Sequence, residues 1–411
     1  MSIKLIFFYL IVTTILYLEP IEVAGGLTFG IVWKLLLLLV LFLPVMYQVL
    51  KERVIEMFIF FSILLSFKIL ISYTSMDYFP HTITLFTKEM MFPLLYLFFI
   101  QKIEKKETLI FMTKHLSIII ILFFLPYMLG ILQPFEKGYD LAEFGLEGQY
   151  GLIGPFIKPH SASITLAFAM IMITTQINRE NSLIKNLFYV GLILLGLYEL
   201  ILTYVRTGFT IYIVVLLYLY FRNINMKKII LMILTSFAIF GAGLYMYHTN
   251  EVIKMRVDDK NKYNSSGGNG SGRFLFWKNA IDNWWNDEPS VIYIGLGYDY
   301  GREKMYEDVG MLIFAHNRFI QVLQQEGLIG FSFFFSYLFF IYRFMSRYKE
   351  SQYYATTNGI FIALLVEMMF QGGFFFPLVF YLSCYLVILK KDYEEKALET
   401  KYQSSYLKRV S

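Results

Sequence analysis

Apolar residues do not alternate along this chain; they run in unbroken blocks. Leu35 to Leu43 is one such run, and similar blocks recur through most of the sequence. A block of roughly 16–22 apolar residues is the length of helix that crosses a bilayer. A membrane-barrel strand would instead alternate with period two, and no such alternation is present. The pattern predicts spans at roughly 4–18, 31–50, 54–73, 83–100, 115–133, 157–177, 187–204, 208–221, 229–247, 321–341, 355–371 and 374–389. The expected fold class is an all-α polytopic membrane protein of about 12 transmembrane helices with a large extracytoplasmic loop. The first block, after Lys4, is also long enough for a signal peptide. Its small-residue cleavage site near Ala24 is weak and many spans follow, so an uncleaved helix is expected.

The polar connections orient these spans. With the N-terminus inside, one set of connections carries Lys51 and Arg53, then Lys102, Lys105, Lys106 and Lys114. Later members of that set carry Arg179 and Lys185, then Arg222, Lys227 and Lys228, then Arg343, Arg347 and Lys349. Lys390 and Lys391 open the tail. The short connections on the other side, 19–30, 74–82 and 372–373, have no Lys or Arg. This is the positive-inside pattern, and it places both termini in the cytoplasm.

Composition agrees. The chain has 411 residues, 57% hydrophobic and 16% charged, more apolar surface than a soluble domain can hide. The net charge of +5 follows from the inner loops and needs no nucleic acid. One cysteine, Cys384, excludes an internal disulfide and a cysteine-built metal site.

Two outer segments are long. One runs from about Pro134 to Pro155, the other from about His248 to Ala315. The second holds NSSGGNGSG, a flexible linker by composition, followed by RFLFWKNAIDNWW, which has helical periodicity with aromatics on one face. Long ordered loops on one side of a membrane protein are usually functional.

Ionisable residues near membrane depth cost about 2.5–3.5 kcal/mol each on insertion scales, so each needs a reason. Lys34 and Lys88 lie near span ends and can snorkel. Lys88 and Glu89 can pair with other helices, and Lys68 and Glu199 could pair with each other. On the outer side, His160 and Lys158 lie in KPHSAS, Arg206 in the turn YVRTGF, and Arg273 at the head of the loop helix. His316, Asn317 and Arg318 open FAHNRFIQVLQQEGLIG. In that stretch Ile320, Leu323 and Gln324 follow His316 at helical spacing, Asn317 can cap the helix, and Gly327 can end a turn or break it.

Arginine forks suit phosphate oxygens and stay charged at any accessible pH. An imidazole can take a proton from a hydroxyl. Outer-side arginines with one histidine, open to lipid, fit a lipid-linked pyrophosphate. Cleaving a sugar–pyrophosphate bond builds negative charge that fixed cations stabilise. That scheme needs no metal or cofactor, and the sequence offers no His/Asp cluster for one.

The order of these motifs resembles the O-antigen ligase and O-antigen polymerase (Wzy-type) superfamily. The matching elements are Arg206-Thr207-Gly208, Arg273 with Trp277, Gly295-Leu296-Gly297, and His316-Asn317 through Gly327 and Gly330. The resemblance covers roughly residues 140–390. It implies a multi-spanning glycosyltransferase fold (GT-C-like) acting on an undecaprenyl-pyrophosphate glycan at the outer leaflet of the bacterial cytoplasmic membrane. It implies that Arg206 and Arg273 bind pyrophosphate and that His316 orients or activates the acceptor, the three forming the catalytic set. Arg318, Asn317, His160 and Lys158 are candidate substrate contacts. Trp277, Tyr298 and Tyr300 are candidate sugar-stacking residues, or else an interfacial belt. Family members often carry Pro-Asn where this chain has Pro159-His160, so His160 is either a second polar contact or a feature of this glycan.

The resulting division is 1–133 as N-terminal spans, 134–390 as the ligase/polymerase-like core including the loop 248–315, and 391–411 as a cytoplasmic tail. The leading expectation is a polymerase of lipid-linked repeat units making capsular, exo- or O-antigen polysaccharide, with membrane lipid, a chain-length regulator and a flippase as partners. A ligase would use the same motifs. A lipid-linked sugar transporter would put its polar residues at mid-membrane and show an internal repeat. No repeat is evident.

Overall fold

The computed structural model describes residues 22–24, 27–29, 32, 36, 56–72, 79–138, 140, 150–177, 182–222, 241, 244, 247–249, 254, 273–310, 314–371 and 376–410. The expected span 4–18 and the linker NSSGGNGSG lie outside the described residues, and 31–50 and 229–247 lie almost wholly outside them. The described helices are α1 (Met57–Ile71), α2 (Phe79–Lys102), α3 (Lys106–Met128), α4 (Pro159–Thr174), α5 (Leu183–Leu202) and α6 (Arg206–Phe221). They continue as α7 (Arg273–Trp285), α8 (Pro289–Ile294), α9 (Tyr298–Val309), α10 (Arg318–Arg347), α11 (Tyr354–Phe370) and α12 (Phe376–Val410). A short antiparallel hairpin, β1 (Glu22–Ala24) with β2 (Leu27–Thr28), is the described departure from an all-helical chain. Among the described residues α3, α5 and α10 are long and apolar enough to cross a membrane, and α1, α4, α6 and α11 are shorter apolar helices. The loop helix expected from RFLFWKNAIDNWW is α7. α12 runs unbroken past position 390.

α4 is the central helix. Every residue from Ala162 to Ile173 is buried, as an apolar sequence with no polar face requires. It packs against α3, α5, α6, α11 and α12. A second group, α1, α2 and α10, is interlocked by aromatic rings. Phe58 meets Tyr96 and Phe344 edge-on, each at 5.1 Å, and Phe92 meets Tyr337 at 5.6 Å. Such pairs contribute about 0.5–1.5 kcal/mol each, which matters where lipid removes the hydrophobic drive between helices. α12 joins the groups: the Phe380 ring packs on Phe99 of α2, and Tyr381 hydrogen-bonds Ser117 of α3 at 2.8 Å.

One end of the bundle collects basic residues that the sequence pattern assigned to a common side. Asp392 lies between Lys106 (2.9 Å) and Lys396 (3.3 Å) and accepts from Ser351 (2.7 Å). Glu56 meets Arg347 at 3.4 Å and Lys390 at 3.5 Å. Positions assigned to the opposite side gather elsewhere and form the candidate site.

Candidate active site

The first cation is positioned by a tight junction. α5 ends at Leu202, and the chain reverses through Thr203, Tyr204 and Val205 before Arg206 opens α6. Tyr204 sits at φ 55, a conformation that costs a bulky residue energy and collects at functional sites. The Ser163 hydroxyl of α4 donates to the Val205 carbonyl (3.2 Å) and accepts the Gly208 N–H (3.2 Å). A Cβ at Gly208 would lie 2.2 Å from the Ser163 oxygen and 2.3 Å from its carbonyl oxygen. The Arg-Thr-Gly and PHSAS segments are therefore one lock: the glycine lets α6 touch α4, and Arg206 is presented at the exposed rim.

Arg273 opens α7 and faces the ring of Phe370 at 5.7 Å. The next residue, Gln371, hydrogen-bonds the Nδ1 of His160 at 2.9 Å. The end of α11 thus ties the starts of α7 and α4 together. Burial, and then the like charge of Arg206, push the Arg273 guanidinium down from the ordinary arginine value. It remains a cation, since arginine does not lose its proton in proteins. Two arginines close enough to repel, held by helix starts, form an anion-seeking surface.

His316 precedes α10 at φ 50 and is half-buried. Tyr204 and His316 are the non-glycine residues with positive φ among the described residues, and each borders a site position. The next side chain, Asn317, caps α10 by accepting from the Phe319 (3.0 Å) and Ile320 (3.3 Å) amides. Burial, reinforced by the charge of Arg273, holds the His316 imidazole below its ordinary value. It is therefore neutral near pH 7 and able to accept a proton.

The polarity of the following stretch is also explained. α10 is two helices merged across a break at Gly327, where φ is 62 and ψ −168. Its first part holds Gln321, Gln324, Gln325 and Glu326, all buried, and its second part is apolar. The break frees the Gln324 and Gln325 carbonyls, and these accept the Leu296 and Gly297 amides, each at 2.9 Å. The Gly-Leu-Gly turn is thus the plug that satisfies the broken helix.

Arg206, Arg273 and His316 are brought together, with His160 beside them through Gln371. Lys158 is exposed at the start of α4. Trp277 packs against Phe274 at 5.2 Å and borders a small core of Phe276, Ala280, Met305 and Ala315. Tyr298 packs at a tilt against Phe314 at 5.0 Å, whereas Tyr300 is exposed and carries Lys304 over its ring at 5.6 Å. Two expected substrate contacts have structural partners. Arg318 is buried in an ion pair with Glu89 of α2, and Asn317 is occupied as the helix cap. Lys68 pairs with Glu326 at 3.3 Å rather than with Glu199. The sequence reading passed over Ser163, Phe370 and Gln371; only Ser163 carried a signal, lying within the quoted PHSAS. Among the described residues no group of three or more His, Cys, Asp or Glu side chains is placed to hold a metal ion.

The bundle thus holds two arginines near enough to feel each other's charge, and a neutral histidine near enough to feel that of Arg273. Residues 191–335 match the family model described as O-Antigen ligase, so the resemblance read from the motifs is shown over that stretch. The match supports O-antigen ligase/polymerase-type function in general, in a glycosyltransferase-like integral membrane protein. It spans Arg206, Arg273 and His316. No curated protein matches the chain.

Proposed function

We propose that this protein polymerises undecaprenyl-pyrophosphate-linked oligosaccharide repeat units into capsular, exo- or O-antigen polysaccharide. The observation that carries the reading is the like-charge convergence of Arg206 and Arg273 beside a histidine kept neutral by its surroundings. A dianion between two neighbouring guanidinium groups is held by both, and a pyrophosphate leaving group supplies one. In the reaction His316 takes the proton from an acceptor hydroxyl as that oxygen attacks the anomeric carbon of the donor glycan. The bond from that carbon to the pyrophosphate oxygen breaks, a glycosidic bond forms, and Arg206 and Arg273 stabilise the departing undecaprenyl pyrophosphate. Glycan contacts fall to His160, Lys158, Trp277 and Tyr298.

The site faces the outer leaflet of the bacterial cytoplasmic membrane, and the basic end of the bundle faces the cytoplasm, in keeping with the positive-inside pattern, which assigns both termini to that side. A flippase delivers the donor and a chain-length regulator acts on the product. The position of the polar cluster at one end of the bundle weighs against a mid-membrane transport site. A ligase is the second reading, because the same three residues would serve transfer to lipid A core.

Purified protein with an undecaprenyl-pyrophosphate repeat unit, no nucleotide sugar and a chelator decides between them. A ladder of longer glycans is expected. Transfer only when lipid A core is added would make it a ligase. Neither product from folded protein would overturn both readings.

A further inference from the structure

The first part of α10 carries charges in the reverse of the order that a helix favours. Arg318 stands at its start, where the helix dipole is positive, and Glu326 at its end, where the dipole is negative. Both are buried, at 1% and 2% exposure. Neither charge is there for the helix's own stability. Each is matched from outside. Glu89 of α2 receives the Arg318 guanidinium. Lys68 of α1 meets Glu326 at 3.3 Å, and Ser72 donates to the same carboxylate oxygen at 2.5 Å. The Lys68 ammonium also donates to the Ile294 carbonyl at 2.7 Å, just before the Gly-Leu-Gly turn. So α1 and α2 grip both ends of one polar half-helix whose leading edge presents His316.

Resting on the function proposed above, we propose that Glu89 and Lys68 form a register clamp, with Glu89 a positioning residue for the imidazole of His316. Buried ion pairs are poor sources of net stability but good specifiers of register, because a displaced helix leaves two charges unmatched. Arg318 is two residues from His316, and Asn317 between them is fixed by its side-chain bonds from the Phe319 and Ile320 amides. A shift of the guanidinium therefore moves the imidazole relative to Arg273.

The test uses full-length protein in detergent and the undecaprenyl-pyrophosphate repeat unit extracted from the source strain. Variants are Glu89→Gln, Glu89→Asp, Arg318→Gln, the Glu89→Gln/Arg318→Gln pair, and His316→Ala. Turnover is expressed per folded molecule. Glu89→Gln is expected to lower kcat by about tenfold or more while KM moves less than about threefold, the signature of misplaced chemistry with intact binding. The double variant, with no charge left orphaned, is expected to recover a substantial part of that loss. If Glu89→Gln does not fold, Glu89→Asp is judged by the same split. Native kcat in the folded Glu89 variants, with only the yield of folded protein reduced, would overturn the clamp. If His316→Ala is inactive while those variants are native, the inference fails alone. If His316→Ala is fully active, or the native protein gives no turnover, the functional reading fails and takes the inference with it.

Discussion

Replacing Gly327 by alanine tests the link between the helix break and the plug that fills it. At φ 62 and ψ −168 the residue occupies a region open essentially to glycine, and a side chain there costs about 1–3 kcal/mol. Space is the second term. A Cβ would stand 2.5 Å from the carbonyl carbon and oxygen of Tyr293 and 2.6 Å from the Gly295 nitrogen. All three are backbone atoms, so α8 and the turn must retreat as a unit. Retreat stretches the 2.9 Å bonds from the Leu296 and Gly297 amides, and each buried group left unpaired costs about 1–3 kcal/mol. The combined penalty is at least about 3 kcal/mol, a large share of the roughly 5–15 kcal/mol that holds a typical protein folded. Gly310→Ala is the control. That residue also has positive φ, 70, but nothing lies within 4 Å of its would-be Cβ, so it costs only about 1–2 kcal/mol. Thermal unfolding of the purified proteins at one scan rate should place Gly327→Ala clearly below Gly310→Ala. Equal midpoints, with polymer synthesis retained, would refute the account of the break.

Further outcomes follow from the same contacts. His316→Ala should slow glycan transfer by about 10²–10⁴-fold at matched protein level, read from the product ladder. Because burial and Arg273 hold His316 below its ordinary value, the native enzyme should stay active as pH falls past the range where a free imidazole becomes protonated. Arg273→Gln removes one of those two influences, so in the residual activity the acid limb should move to higher pH; a fixed limb would show that another group titrates. Gly208→Ala drives a methyl into Ser163 and should destabilise by at least about 2 kcal/mol, against about 1 kcal/mol for Ser163→Ala, measured by unfolding. Burial raises the Asp392 carboxyl, but hydrogen bonds from Lys106, Ser351, Gln352 and Lys396 outweigh it and hold the group well below the usual carboxylate range. Its stabilisation is present above the ordinary carboxylate value and is lost as pH falls below it. Asp392→Asn should therefore cost about 1.5–3 kcal/mol near neutral pH and nothing measurable in strong acid, with KM unchanged.

Among the described residues α3, α5 and α10 were legible as spans because a run of apolar residues of bilayer length has few other uses. The cap at Asn317 and the break at Gly327 were legible because their chemistry is local. The grouping of Arg206, Arg273 and His316 was visible only through motif order and loop sidedness, which fix a common end but no distances. The ion pair of Arg318 was hidden for the same reason, since nothing near it in the chain points to Glu89 facing it from α2. The partner of Lys68 was equally hidden, since any buried carboxylate answers a buried lysine on paper. Packing selects Glu326 and leaves Glu199 with neither oxygen hydrogen-bonded among the described residues. Sugar-stacking aromatics could not be separated from the interfacial belt by type alone; Tyr300 and Trp277 differ in what surrounds them.

The clamp on α10 also has a consequence for biosynthesis. Glu89 is made 229 residues before Arg318, and Lys68 258 residues before Glu326. While the intervening chain is still being translated, a carboxylate and an ammonium sit in the young bundle without the partners they will keep. Each carries an insertion penalty of about 2.5–3.5 kcal/mol that only the late arrival of α10 relieves. The late docking of α10, which brings His316 to the candidate site, is therefore also the step that gives the buried charges of α1 and α2 their partners.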